Sequence, residues 1–150
     1  MTPSVILVLI AVVGAAYVLL TAFPDWGSMD TSADDRTQKL AQAIASAEGF
    51  YKAGSRPQRN NNPGDMTQDL IGKAVGTDGP FVVYATPDDG WANLYAQINK
   101  WYSGTSNRAD GTSTISELSS FYTTTEKQTW AVNVANNLGV SVDTPINQIA

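Results

Sequence analysis

Residues 47–66 of the chain read AEGFYKAGSRPQRNNNPGDM. One carboxylate, Glu48, stands directly before a glycine. A run of three asparagines begins twelve residues later and is closed by Pro63-Gly64. The stretch therefore joins an acidic residue, at the end of an apolar segment, to a loop that is rich in side-chain amides.

Apolar residues around Glu48 recur at the spacing of an α-helix. They are Leu40, Ile44, Ala47 and Tyr51. The pattern predicts a helix from Asp35 to about Ala53, with Asp34 or Asp35 as its N-cap and Gly54 beyond its end. At about 100° per residue, Glu48 lies roughly 70° from the centre of the apolar stripe, so we expect its side chain to be partly buried.

The rest of the sequence predicts further helices and one β-hairpin. Phe81–Thr86 is rich in β-branched and aromatic residues, which predicts a strand that pairs across GTDGP with a partner within Met66–Val75. The other signals are a helix start near Asp88 or Asp89 and a capping box of Thr114 and Glu117. A last main helix carries Trp130, Val134 and Leu138 and is stopped by Gly139, and Thr144-Pro145 suggests one more turn. The predicted fold class is mainly α with a small β-hairpin, in one domain over residues 35–150.

Composition restricts the chemistry that the chain can perform. It has no cysteine and no histidine, which excludes disulfides, thiolate or imidazole metal sites and a Ser-His-Asp triad. Acid–base catalysis would have to come from Asp, Glu, Lys or Tyr, and we expect no metal and no cofactor. The net charge of −5 argues against nucleic acid as a partner. Lys52, Arg56 and Arg59 cluster near the asparagines, either as solvated charges or to attract an anionic polymer.

An apolar segment precedes the predicted domain. Val5–Phe23 contains 19 residues without a charge, which as a helix would span about 28 Å, close to the thickness of a bilayer core. We predict a single-pass transmembrane helix over residues 1–23 and an acidic linker over residues 24–34, with the domain on the periplasmic or wall-facing side. The competing interpretation is a cleaved signal peptide, but the segment lacks a basic start and a small-x-small site.

Glu48 and the asparagines together suggest carbohydrate chemistry. Partial burial would keep Glu48 protonated near neutral pH, and the leaving oxygen of a glycosidic bond needs such a proton. The amides of Asn60, Asn61 and Asn62 match the N-acetyl and hydroxyl groups of amino sugars, and Gly64 would let a ligand approach the backbone. Taken separately, these features also fit a surface glutamate near a helix end and an ordinary Asn-Pro-Gly turn.

Five segments follow one another in a recognisable order: AIASAEGF, RNNNPGDM, DGPFVVYATPDDGWANLYAQI, TISELSSFY and WAVNVANNLGV. In these segments the chain resembles the small lytic transglycosylases and lysozyme-like muralytic proteins of phages and bacteria. The resemblance implies a lysozyme-like α+β fold and cleavage of the β-1,4 MurNAc-GlcNAc linkage in peptidoglycan glycan strands. It also implies Glu48 as the general acid, Asn62 to Gly64 on the substrate loop and Tyr122 near the acid. Trp130 departs from the family, in which a tyrosine is more usual.

The type of reaction depends on a second carboxylate. Hydrolysis usually needs one about 5–9 Å from the acid, and Asp65 is the only other acid in the motif. In similar transglycosylases, one glutamate makes both proton transfers while the 6-hydroxyl of the muramic sugar attacks its own anomeric carbon. We predict that route, with a lysozyme-type hydrolase as the alternative; a catalytic role for Asp65 stays open.

Three other interpretations are compatible with the sequence. They are a non-catalytic glycan-binding module, a structural membrane protein with virion or envelope neighbours, and a releasable signal-anchor endolysin. Eleven Val, Ile and Leu residues in Val5–Phe23 favour a permanent anchor over a releasable one. An anchored enzyme would suit the internal membrane of a phage virion, where it would open the cell wall during entry, and it would equally suit a bacterial envelope.

Overall fold

A computed structural model describes the backbone of residues 9–12, 15–18, 31–123 and 125–150, with side chains from residue 35 onward. The chain divides into two compact units, Met1–Thr31 and Ser32–Ala150. In the described residues, the second unit contains five α-helices, a two-stranded antiparallel sheet and a 3₁₀ turn. This unit therefore has a small α+β fold, which agrees with the predicted class.

The first unit differs from the predicted transmembrane helix. Strands Leu9–Val12 (β1) and Ala15–Val18 (β2) pair in antiparallel register inside the apolar segment. Valine and isoleucine favour extended backbone, and hydropathy alone does not separate a strand from a helix. The other residues of the predicted anchor, and the linker as far as Asp30, lie outside the described residues. No helix in the described part of the chain is long and apolar enough to cross a bilayer.

The first helix of the second unit, α1, spans Thr31–Ala47. It ends in a Schellman motif, because the Phe50 amide donates to the Ala45 carbonyl at 2.9 Å and the Gly49 amide donates to that of Ser46 at 3.0 Å. Gly49 has φ of 78°, a left-handed conformation that glycine adopts without a steric penalty.

The prediction that this helix runs from Asp35 to Ala53 is therefore wrong at both ends. The helix begins within the predicted linker and stops six residues before Ala53. Tyr51, which was expected on the apolar stripe, has 60% of its surface exposed. The periodicity continues past Ala47, but the glycine beside Glu48 provides the local signal that ends the helix.

A short helix at residues 56–59 was not predicted, and the other remaining elements follow the predicted order. Together they are α2 (Arg56–Arg59), β3 (Ala74–Asp78), β4 (Phe81–Tyr84), α3 (Pro87–Tyr102), α4 (Ile115–Tyr122), α5 (Lys127–Leu138) and a 3₁₀ turn (Ile146–Gln148). The predicted hairpin and the Thr114–Glu117 capping box are confirmed. The partner strand lies later than most of the predicted Met66–Val75 range, and the strands meet across Gly79-Pro80.

The core of the second unit forms where the four longer helices meet. Its fully buried leucine, isoleucine and valine residues are Leu40, Ile44, Leu94, Ile98, Ile115, Leu118, Val134 and Ile146. Strand β4 buries Val82 and Tyr84, whereas every residue of β3 is exposed. The hairpin therefore contacts the protein through β4, and this strand also anchors the asparagine loop.

Candidate active site

Glu48 is the C-cap residue of α1, and its side chain is half-buried. The indole Nε1–H of Trp130 donates a hydrogen bond of 2.7 Å to Glu48 Oε1. Trp130 lies on α5 and is buried. The end of one helix and the first turn of another thus fix the position of the carboxyl group.

Burial raises the pKa of Glu48 from 4.5 to about 7. The hydrogen bond from Trp130 opposes this shift in part, the carboxylate of Asp65 adds to it, and Arg56 lowers the pKa slightly. The partial negative charge at the C-terminus of α1 acts in the same direction as burial. Glu48 therefore keeps its proton on the acidic side of neutrality, as the sequence predicted.

Aromatic rings extend from Trp130 into the domain. Tyr122 stacks on Trp130 with ring centroids 4.8 Å apart, and Trp101 packs edge-on against Tyr122 at 6.2 Å. The hydroxyl of Tyr122 donates to the Gly64 carbonyl at 2.6 Å. Burial raises the pKa of Tyr122 well above its usual range, so the hydroxyl remains a donor. Tyr122 therefore lies in the same cluster as Glu48, which matches its predicted placement near the acid.

Gly64 is buried beneath this cluster. A Cβ on Gly64 would lie 2.7 Å from Tyr122 Oη and 2.9 Å from Leu94 Cδ1. The residue was predicted to let a ligand approach the backbone. In the structure, side chains of α4 and α3 approach it closely, so the glycine is needed for packing. Gly64 also lines the groove described below, so the approach of a ligand stays a prediction.

The three asparagines hold the loop in place with their side chains. Asn62 is fully buried; its amide donates to the carbonyls of Met66 at 2.9 Å and Val82 at 3.0 Å and accepts from the Met66 amide at 2.9 Å. The amide of Asn61 donates to the Tyr84 carbonyl at 3.0 Å. That of Asn60 donates to the Asp78 carboxylate at 3.3 Å.

These contacts argue against the predicted role of Asn62 as a sugar ligand, whereas that role stays a prediction for Asn60 and Asn61. Both donor hydrogens of Asn62 and its carbonyl oxygen are already used inside the protein, and burial denies them to a sugar. The short amide side chain is required here because it donates and accepts at once, and so it joins the loop to β4. This role depends on contacts about 20 residues away along the chain, which the motif alone does not reveal.

Asp65 follows the loop and forms a two-point ion pair with Arg56. Arg56 Nε donates to Asp65 Oδ1 at 3.0 Å, and its terminal nitrogen contacts Oδ2. The Asp65 side chain is almost fully buried. Its backbone adopts the left-handed conformation, with φ of 47°. The guanidinium of Arg56 also lies 3.4 Å from the ring centroid of Phe81. Arg56, one member of the predicted basic cluster, therefore neutralises the carboxylate of Asp65, which directly follows Gly64.

A groove of about 400 Å³ runs beside this cluster. Asp65, Tyr122 and Gly64 form part of its wall, and Trp101, Phe121 and Phe81 add aromatic surface. Glu48 does not line the groove directly. Glu48 accepts a hydrogen bond from Trp130, which stacks on Tyr122 of the groove wall. The negative charge of Asp65, also on the wall, raises the pKa of Glu48.

Two residues of this site were not assigned to it from the sequence. Trp130 was placed on the last main helix without a role in the site, and Arg56 was interpreted as part of a basic cluster. The only sequence signal for Trp130 was that it stands where a tyrosine is more usual in the family that the sequence resembles. Among the residues that the structure describes, no group of histidine, cysteine, aspartate and glutamate could hold a metal ion.

A scan of the chain against protein-family profiles, a search of curated proteins and a search of solved structures found no match.

Proposed function

We propose that the protein is a peptidoglycan-cleaving enzyme with a lysozyme-like fold, and specifically a lytic transglycosylase with Glu48 as its acid. The proposal rests on one observation: a half-buried carboxyl with a pKa near 7, fixed by the indole of Trp130. A surface glutamate at a helix end would not have both features. They suit a group that donates a proton and then takes one back near neutral pH.

In the first step, protonated Glu48 donates its proton to the oxygen that links MurNAc to GlcNAc. The bond between this oxygen and the anomeric carbon breaks, and Glu48 becomes a carboxylate. The hydrogen bond from Trp130 strengthens as its acceptor becomes charged, which stabilises that carboxylate.

In the second step, the 6-hydroxyl of the same muramic sugar attacks the anomeric carbon and gives its proton to Glu48. The product is a 1,6-anhydro sugar, and Glu48 is protonated again. No water is consumed.

The ion pair of Arg56 and Asp65 supports this route over hydrolysis. A hydrolase needs a second carboxylate that is free to activate water or to attack the sugar. Both carboxylate oxygens of Asp65 contact Arg56. The site is therefore better suited to one working carboxyl group than to two.

Mass analysis of muropeptides tests the reaction type. Digestion of purified peptidoglycan by the full chain should release products with 1,6-anhydro ends, each lighter by one water than the products of a hydrolase. Reducing-end products alone would replace the transglycosylase with the hydrolase. Absence of any product would favour a glycan-binding or structural protein.

The apolar segment Val5–Phe23 is proposed as the site of attachment to a lipid bilayer, on its composition alone. The full chain should therefore float with phospholipid vesicles in a density gradient. A double variant, Ile10→Arg with Val18→Arg, should float much less, because an arginine in the bilayer core costs about 2.5–3.5 kcal/mol. Equal flotation of the two proteins would contradict attachment through this segment.

A further inference from the structure

The groove beside the candidate site carries two cations that the proposed reaction does not use. Lys100 and Arg108 both line it and are exposed. Across residues 35–123 and 125–150, no carboxylate forms a salt bridge with either side chain. The remaining charged residue of the wall, Asp65, is paired with Arg56. The unpaired charge of the groove is therefore positive, although the whole chain has a net charge of −5.

The fold holds the segment with Arg108 beside Lys100. Lys100 lies in the last turn of α3, and its carbonyl accepts from the amides of Thr105 at 3.0 Å and Ser106 at 3.2 Å. The hydroxyl of Ser106 then accepts from the Arg108 amide at 3.2 Å. The buried side chain of Ala109 anchors the next residue in the core. These hydrogen bonds order the loop that carries Arg108 next to the end of α3, where Lys100 lies.

The other polar groups of the wall are neutral. Gln68, Gln97 and Asn107 offer amides, and Trp101 and Phe121 offer ring surface. Such groups suit the hydroxyl, N-acetyl and apolar faces of amino sugars, none of which needs a cation. A ligand that uses the whole wall would therefore combine a neutral sugar part with anionic groups. In peptidoglycan, such groups are the carboxylates of the peptide stem on the muramic sugar.

We propose that Lys100 and Arg108 bind the carboxylates of the peptide stem, so that the groove prefers peptide-bearing glycan over bare glycan. This inference rests on the proposed function, since it deepens the choice of substrate at the same site. Arginine and lysine on a groove rim attract anions and add selectivity more than raw affinity.

Calorimetric titration of the full chain tests the inference. The probe is GlcNAc-MurNAc-tetrapeptide, which lacks the linkage to be cleaved, and its comparison ligand is the same molecule with its carboxylates amidated. The native probe should bind about tenfold more tightly at low salt, which is the scale of two exposed charge contacts. The double variant Lys100→Gln with Arg108→Gln should lose this preference and bind the amidated probe as the wild type does.

A matched control removes the same charge elsewhere. Lys73→Gln with Lys127→Gln changes two exposed lysines that do not line the groove, and it should keep the full preference. Equal binding of the two probes by the wild type would overturn the inference. A control that loses the preference equally would overturn it too, and so would tighter binding of poly(glycerol phosphate) than of the muropeptide.

Failure of this inference is distinguishable from failure of the proposed function. If the wild type cleaves peptidoglycan but binds both probes equally, only the role of the two cations is lost. If it shows the charge preference but releases no product from peptidoglycan, the enzymatic proposal is lost and the groove remains a site for the peptide stem.

Discussion

Replacing Glu48 with glutamine should lower the rate of peptidoglycan cleavage by about 10²–10⁴-fold, which is the usual contribution of a positioned acid. Glutamine retains the size of the side chain and an oxygen that accepts from Trp130, but it has no proton to transfer. The rate of release of dye from labelled peptidoglycan measures the effect. Glu117→Gln is the matched control, because Glu117 caps α4 through Thr114 at an exposed position; it should retain turnover near the wild-type rate.

The stability of the same Glu48→Gln variant separates a catalytic defect from unfolding. Because the folded-state pKa of Glu48 is raised from 4.5 to about 7, the protonated group favours the folded state, and stability falls as pH rises through that interval. The loss totals about 3 kcal/mol for the wild type, and glutamine avoids it. Denaturant unfolding should show equal stability at pH 4 and a more stable variant at pH 8. Wild-type turnover in Glu48→Gln would remove Glu48 from the mechanism and favour the glycan-binding module or the structural protein.

Replacing Gly90 with alanine should destabilise the second unit by about 3 kcal/mol or more. A Cβ at this position of α3 would lie 1.8 Å from the Asn61 carbonyl oxygen and 2.8 Å from Pro63 Cδ. Overpacking against a side chain can be relieved by a rotamer change, but here the nearest atom belongs to the backbone. Alanine is the better helix former by about 1 kcal/mol, which is too little to offset the clash. Thermal unfolding should show a midpoint lowered by more than about 10 °C.

Gly76→Ala provides the comparison for Gly90→Ala. Apart from Gly76 itself and its chain neighbours, no atom lies within 4 Å of a Cβ at this position, and its φ is outside the left-handed region, so the midpoint should change little. If Gly90→Ala unfolds at the wild-type temperature, the close approach of the loop to α3 is incorrect. The packing account of Asn61 and Asn62 would then fail with it.

Local patterns predicted most elements of the second unit, although α2 was not among them. The hairpin, α3 and the capping box of α4 depend on residues close together in sequence, and all were recognised. The end of α1 was missed because apolar periodicity extends past Ala47 to Tyr51, while a single residue, Gly49, ends the helix. The strand pair inside the apolar segment was missed because β-branched residues suit a strand as well as a membrane helix.

The site was predicted less completely than the fold because its contacts are long-range. Glu48 could be identified as a partly buried acid from its place on a helical stripe. Its hydrogen bond to Trp130 joins residues 82 positions apart, and no local pattern carries that information. Asn62 was assigned to the substrate for the same reason, since its partner on β4 lies 20 positions away.

The end of α1 beside Glu48 makes helix length a determinant of the site. One residue inserted between Leu40 and Ala47 would turn everything beyond it by about 100° and advance it by about 1.5 Å. Glu48 would then point away from Trp130, although all the original residues would still be present. Substitutions on the exposed face of α1 therefore leave the position of Glu48 unchanged. The insertion or deletion of one residue in that interval would move the carboxyl group away from Trp130.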